Sequence, residues 1–308
     1  MSCTIHAYDR RYLEGVTALY NAETAFEPHI ASLDPERFVA LVENKSCFDP
    51  EGLLVAVEGG EVTGWIHACV APGSEGGHDP ARRVARIRML IFPRDRLKVG
   101  SALVEAATQW LRSRAEGEIE ALHAKAGYPF YRGLWMGGEP MGPATLPHVQ
   151  MALEVGGYKI SQESIFMAAA MTAPPEEVAP EGAVEFVEYT TEMRHEGMRE
   201  SWIGFEPRGI RALANGEPAG NLSWVMIPYV AGRLGAPCMN IWGLGVPEAH
   251  RRRGIATALI SRAMARAYAE GARFASVGTQ LWNAPAHATY ARLGFRPHSV
   301  LIGRVLIL

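Results

Sequence analysis

The stretch Trp242-Gly-Leu-Gly-Val-Pro-Glu-Ala-His-Arg-Arg-Arg-Gly-Ile-Ala-Thr-Ala258 joins an apolar, strand-like run to a helix-like one through a turn that ends on Gly254. Glycine lets a ligand approach the main chain closely, and the first turn of a helix presents N–H groups that no helical carbonyl can reach. Those donors carry a partial positive charge, so residue types in this order describe a cradle for an anion. Arg251, Arg252 and Arg253 add charge beside it. Two linked phosphates can use several such amides at once, which makes a diphosphate the natural occupant.

A second constellation lies some way downstream, Asn283-Ala-Pro-Ala286-His-Ala-Thr-Tyr290-Ala-Arg-Leu-Gly294-Phe295. Together the two stretches resemble the GCN5-related N-acetyltransferase (GNAT) superfamily, whose pyrophosphate loop reads Arg/Gln-x-x-Gly-x-Gly/Ala. Arg251-Arg252-Arg253-Gly254-Ile255-Ala256 fits at every fixed place, and the family's Asn and Tyr, closing on Gly-Phe, have counterparts in Asn283, Tyr290, Gly294 and Phe295. The resemblance covers the second half of the chain and, more loosely, the first. It implies acetyl-CoA as cosubstrate and no metal. Main-chain groups at Leu244 and Val246 would pair with pantetheine, the amides from Arg252 through Gly254, Ile255 and Ala256 to Thr257 would hold the diphosphate, and Asn283 would steady the cofactor arm. The implied reaction is direct attack of a neutral amine on the thioester, through an oxyanion that a strand-end amide near Leu244 stabilises. Tyr290 takes the place that in many relatives protonates the leaving thiolate. A phenol of pKa about 10 can do so for a thiol of about 8.5 without being ionised itself.

The general base is less legible. His195, Glu196, Glu200 and Glu206 fall in the segment where the family builds its acceptor pocket, and each has a solvated surface role as its ordinary alternative. His250, within the cradle, reads as charge support or packing, and His287, three residues before Tyr290, as a surface residue.

Elements that would position these residues occur twice. Pro93, Gly100 and Ala102 match Pro247, Gly254 and Ala256 at one common offset, after an apolar run and before a helical pattern. Leu53–Gly64 and Ile210–Gly220 each read as strand, turn and strand, with Gly-Gly and Asn-Gly suited to tight hairpins. Between the repeats, the proline-rich 173–182 reads as a linker, giving a degenerate domain at 1–172 and a working one at 183–308. Short apolar strands alternating with helices of 3.6 period predict an α/β fold. The resemblance makes it two tandem GNAT-like domains, each a mixed, mostly antiparallel sheet flanked by helices. In the first copy Leu97 and Val99 stand where Arg251 and Arg253 stand, and Leu146 and Leu153 replace Asn283 and Tyr290. The first domain is therefore expected to scaffold the second without turnover. An aromatic, glycine-rich insert, Gly127–Pro143, is a candidate acceptor lining with Glu139 facing a cationic amine, whereas Gly73–Pro80 reads as a hairpin loop.

A chain of 308 residues with 48% hydrophobic and 20% charged residues has room for two cores. Its net charge of −3 argues against a nucleic-acid partner. No apolar run is long enough to span a bilayer and the amino terminus lacks a signal core, so the expected location is cytoplasmic, without a membrane. Cys3, Cys47, Cys69 and Cys238 show no metal or disulfide spacing, and Cys69 and Cys238 lie in strand-like stretches that favour buried thiols. The expected partner is a small-molecule amine, and a homodimer is allowed. Mycothiol synthase is a loosely similar two-domain relative. A non-catalytic acyl-CoA sensor, or an enzyme acetylating peptide or protein amines, are the competing readings.

Overall fold

The computed structural model describes residues 3–72, 83–122, 130–137, 142–143, 146–192 and 196–308. Its first half runs β1 (Thr4–Ala7), α1 (Leu13–Glu23), α2 (Pro35–Phe38), β2 (Leu53–Glu58), β3 (Glu61–Pro72), β4 (Arg83–Ile91), α3 (Leu97–Arg112), β5 (Glu118–Ala121), β6 (Gly142–Pro143), α4 (Pro147–Val155) and β7 (Lys159–Ala170). The second half follows as β8 (Glu185–Thr190), α5 (Glu196–Ser201), β9 (Arg208–Ala214), β10 (Glu217–Ile227), α6 (Ala231–Leu234), β11 (Cys238–Gly245), α7 (Ile255–Ala269), β12 (Phe274–Gln280), α8 (Ala284–Arg292) and β13 (Arg296–Ile307).

Local chemistry accounts for the main elements. Gly59-Gly60 and Asn215-Gly216 hold positive φ at both positions, as two-residue hairpins joining β2 to β3 and β9 to β10 require. The long helices bury one stripe each, Val99, Leu103, Ala107 and Leu111 on α3 and Ile255, Leu259, Ala263 and Ala267 on α7. Among the described residues no helix is long and apolar enough to cross a membrane.

The strands form one sheet ordered β1-β2-β3-β4-β5-β13-β7-β12-β11-β10-β9-β8, with β6 attached to β13. Its centre holds an exchange that the chain order conceals. The last strand of the second half, β13, pairs antiparallel with β5 of the first, and the last strand of the first half, β7, pairs antiparallel with β12 of the second. Beside one another β7 and β13 form the longest ladder of the molecule, from Arg296↔Ala168 to Val305↔Lys159.

Each half was expected to close its own core, and the packing departs from this. On one sheet face α3 with α4, and α7 with α8, cover two separate apolar clusters. The other face carries a single cluster in which Val16, Phe38 and Trp65 of the first half are continuous with Trp202, Val225 and Cys238 of the second. Exchanged strands leave no seam at which that face could divide. Segment 173–182 has no regular structure and lies along α7, where Val178 N–H donates to Ser261 Oγ (3.0 Å), Glu181 N–H donates to Arg253 O (2.9 Å) and Glu177 pairs with Arg262.

Candidate active site

β11 and β12 run parallel, but only from Cys238↔Phe274 to Ile241↔Val277. Beyond that rung the strands part, because β11 follows β10 while β12 stays with β7 as far as Gln280. The edge of Trp242–Gly245 that faces β12 is left without a strand partner, and an extended ligand can add there as a strand would. A bulge starts the fork: Ser223 opposes Gly243 and Trp224 opposes Ile241, so Trp242 is the extra residue. Leu244 and Val246 pack their side chains against the apolar cluster that α7 covers. Val246 O, however, accepts from Arg251 Nε at 3.1 Å, so one of the groups expected to meet pantetheine is already engaged.

The strand leads through Glu248–His250 into the cradle. Arg252 (φ +62°) and Gly254 (φ +75°) are both left-handed, so the main chain curls before α7 begins at Ile255. No side chain caps α7, and among the described residues no main-chain acceptor meets the amides of Arg252 to Thr257. Alternation of left- and right-handed residues turns successive N–H groups toward one side, the geometry of an anion nest, and the α7 dipole adds to it. Glycine at 254 is required by its φ: a Cβ there would meet Pro180 Cα only at 3.4 Å. The three arginines do different things. Arg251 is held by Val246, Arg253 reaches His250 Nδ1 (3.4 Å) and Glu181 O (3.3 Å), and the exposed Arg252 has no side-chain partner among the described residues, leaving its charge available to a phosphate. The Ile255 side chain is buried in the core, so only its amide can contribute; Ala256 and Thr257 are half-buried.

Asn283 caps α8, its Oδ1 accepting from Ala286 N–H (3.3 Å) and its Nδ2 donating to Thr279 Oγ1 (3.2 Å). Tyr290, on the inner face of α8, belongs to the same packed cluster as Ile241 and Val277, the last rung before the fork, and its ring meets Phe295 at 5.7 Å. Its hydroxyl has no hydrogen-bond partner among the described residues, and burial pushes its pKa up to about 12, which keeps the proton on the oxygen. His287 is tied to Gln280 O (3.1 Å).

The proposed bases fare unevenly. His195 and Glu139 lie outside the described residues, as do the whole Gly73–Pro80 loop and the side chain of Glu196. Glu200 accepts from Ser46 Oγ at 2.7 Å and holds the halves together, and Glu206 pairs with Arg208 at 3.2 Å on the surface. A feature the sequence did not single out borders the fork on the shared face. Trp242, 39% exposed, meets Trp202 at a tilt of 42° with ring centroids 5.4 Å apart, and Arg132 of the first half lies 3.9 Å over Trp202 and donates to Ser201 Oγ at 2.6 Å. Arg132 falls in the aromatic insert, whose composition was the available signal. Cys69 and Cys238 are buried thiols, both pushed up by burial, Cys69 to about 11.

The equivalent place in the first half is filled. A bulge recurs at Arg88, between His67↔Met89 and Ala68↔Ile87. There α3 begins at Leu97, so Gly100 lies inside the helix and its N–H donates to Arg96 O (3.3 Å). The buried Phe92 ring occupies the space beneath it, where a Cβ on Gly100 would approach within 2.3 Å. His148 contacts Phe92 O at 3.1 Å, and Leu146 and Leu153 are buried. The Val99 and Gly100 amides are both taken by Arg96 O, so this helix start offers an anion fewer donors than α7 does.

Residues 175–295 match the model of the Acetyltransferase (GNAT) family. No curated protein matches the chain significantly. Among solved structures, a tandem GNAT protein from the clavulanic acid biosynthesis pathway superposes with a TM-score of 0.63 at 17% identity, over 99% of this chain and 98% of that one. A GCN5-related N-acetyltransferase from Sphaerobacter thermophilus gives 0.64 at 15% identity, over 99% and 95%. N-myristoyltransferase from Saccharomyces cerevisiae, with bound myristoyl-CoA, gives 0.57 at 11% identity, over 99% and 79%. The chain thus shares the fold of a tandem GNAT protein, and within it residues 175–295 are similar to the GNAT family domain.

Proposed function

We propose that this tandem GNAT chain is an acyl-CoA-dependent N-acyltransferase that moves an acetyl group from acetyl-CoA to the amine of a small molecule, with 183–308 as the working domain and 1–172 as its scaffold. One observation carries the reading: the uncapped start of α7, with left-handed Arg252 and Gly254, opens directly beside the fork between β11 and β12. The arrangement suits a ligand that joins a diphosphate to an extended amide-bearing arm. Bound myristoyl-CoA in the yeast relative lends support by analogy.

In this reading the diphosphate sits on the amides of Arg252 to Thr257 with Arg252 alongside, and the arm lies against Trp242–Gly245. The amine nitrogen attacks the thioester carbon, forming C–N, and its proton leaves to a base or to water. The oxyanion meets a strand-edge amide near Leu244. Collapse breaks C–S, and Tyr290 gives its proton to the departing thiolate. A phenol of pKa about 12 is a reluctant acid, yet transfer to a more acidic thiol's conjugate base is brief and reversed from solvent. Asn283 acts by fixing α8, and hence Tyr290, through its cap. Trp242, Trp202 and Arg132 stand on the acceptor side, so the scaffold half shapes the acceptor pocket.

Coenzyme A release, measured over a panel of small amines and of peptides, tests the assignment. Tyr290→Phe should lower kcat by roughly 10²–10⁴-fold with coenzyme A affinity unchanged. Full activity in this variant removes Tyr290 from the chemistry, and coenzyme A binding without turnover on any amine establishes a sensor instead.

A further inference from the structure

The loop after α1 and the bulged start of β13 bring together three side chains that acyl transfer does not use. Glu27 and His29 are neighbours in the loop and His298 comes from the far end of the chain, and their donor atoms all lie within 4.8 Å of one another. Glu27 Oε1 is 2.7 Å from His29 Nδ1 and 3.3 Å from His298 Nε2, and the two rings sit 3.8 Å apart at 54°. The Glu27 side chain is 8% exposed, against 17% for His29 and 25% for His298, so the cluster is closed on the carboxylate side and reaches solvent past the rings.

Its backbone is built to hold this shape. His298 is the extra residue of a bulge, where Pro297 opposes Met167 and Ser299 opposes Phe166, and bulges re-aim side chains. The His298 ring rests edge-on against Phe166 at 5.7 Å. The Glu27 loop is held from one side by Met136 N–H donating to His29 O (2.9 Å) and by the Ile30–Trp135 bridge. From the other side, Arg233 of the second half donates to Thr24 O (2.5 Å) and Glu27 O (3.4 Å).

We propose that Glu27, His29 and His298 bind one divalent transition-metal cation of the zinc class, which clamps the last strand of the chain to the first-half loop. Two imidazole nitrogens and one carboxylate oxygen are the donor set of zinc and its first-row neighbours, whereas calcium and magnesium take oxygen ligands throughout. Metal–ligand bonds of about 2.1 Å put tetrahedral donor atoms roughly 3.4 Å apart; Glu27 Oε1 and His298 Nε2 already stand at 3.3 Å, and His29 Nδ1, at 2.7 Å from the carboxylate, must move out by about 1 Å as the cation replaces the protons. Three protein ligands leave a position for water on the solvent side. The guanidinium of Arg233, bonded to the Glu27 carbonyl, opposes a second positive charge and weakens the affinity. The site does not depend on the acyl-transfer reading, and no amine or coenzyme is needed to examine it.

The test is titration of the full-length, chelator-treated protein with Co²⁺, followed by visible absorption and displaced by Zn²⁺. One Co²⁺ per chain with a rise in Tm is expected. His298→Gln and His29→Gln should each weaken it by more than about 100-fold, since even outer-shell changes cost 10–100-fold, while His6→Gln leaves it intact. Unchanged near-ultraviolet circular dichroism in the two histidine variants shows that the fold survives, so neither depends on how Glu27→Gln behaves. Failure to saturate at millimolar Co²⁺, or saturation undiminished in His298→Gln, overturns the proposal and leaves a hydrogen-bonded cluster only.

Discussion

Burial gives His67 a role that its place in the sequence does not announce. The ring is enclosed on β3, with Nδ1 2.7 Å from Tyr131 Oη, and desolvation, helped by the charge of Arg88, lowers its pKa from 6.5 to about 3. Folded His67 is therefore neutral where the unfolded residue is protonated. The unfolded chain binds the extra proton below pH 6.5, so stability from this group is complete above that pH and drains away as pH falls toward about 3. Urea midpoints across that window should show a slope approaching one proton, roughly 1.4 kcal/mol per pH unit, and His67→Gln should flatten it. A slope unchanged by the substitution would place the acid-sensitive group elsewhere. Tyr290 illustrates the same physics in a different service, its proton kept on oxygen by the core around it.

Among the elements, the contrast between α7 and α3 shows how one motif can be kept or lost by the place where a helix begins. Gly254 precedes α7 in a left-handed conformation and its amide is free, whereas Gly100 lies inside α3 with its amide bonded and Phe92 beneath it. Substituting alanine should therefore do opposite things. Gly254→Ala forces a Cβ onto a left-handed residue, costing about 1 kcal/mol or more, and disturbs the nest, so coenzyme A affinity should fall about tenfold or more. Gly100→Ala drives a methyl into the Phe92 ring and should cost roughly 1–3 kcal/mol of stability with coenzyme A affinity intact. Calorimetric binding and thermal melts on both variants separate the two effects, and the reverse pattern would exchange the roles of the halves.

For the whole molecule, the exchange of β7 and β13 matters most. Arg304 on β13 is buried among first-half groups, donating to Gln150 Oε1 (2.8 Å) and Tyr158 O (2.7 Å) and pairing with Glu154. With the central sheet and one core common to both halves, heating should produce a single cooperative calorimetric transition. Arg304→Ala strands the Tyr158 carbonyl and should cost about 2 kcal/mol, discounted because Glu154 is half exposed, and it should move that whole transition down by a few degrees. Two transitions, only one of them moved, would mean that the halves melt as independent bodies. The Glu27–His29–His298 cluster spans the same junction, so a bound cation would act on this transition too.

Local chemistry written in the chain was enough to specify its repeat, both hairpin turns, and the order of cradle and tyrosine, because glycine conformation, helix periodicity and strand alternation depend on near neighbours. Chain order carries no information about which strand pairs with which across a sheet, so the reciprocal insertion of β7 and β13, the common core and the Trp242–Trp202–Arg132 cluster arise only when distant segments pack. The left-handed turn at Arg252 was equally hidden, since arginine does not favour it and the surrounding fold imposes it. Histidines at 29 and 298 are ordinary in their own neighbourhoods; only the tertiary fold, by placing a loop of one half against a bulge of the other, makes them a pair around one carboxylate.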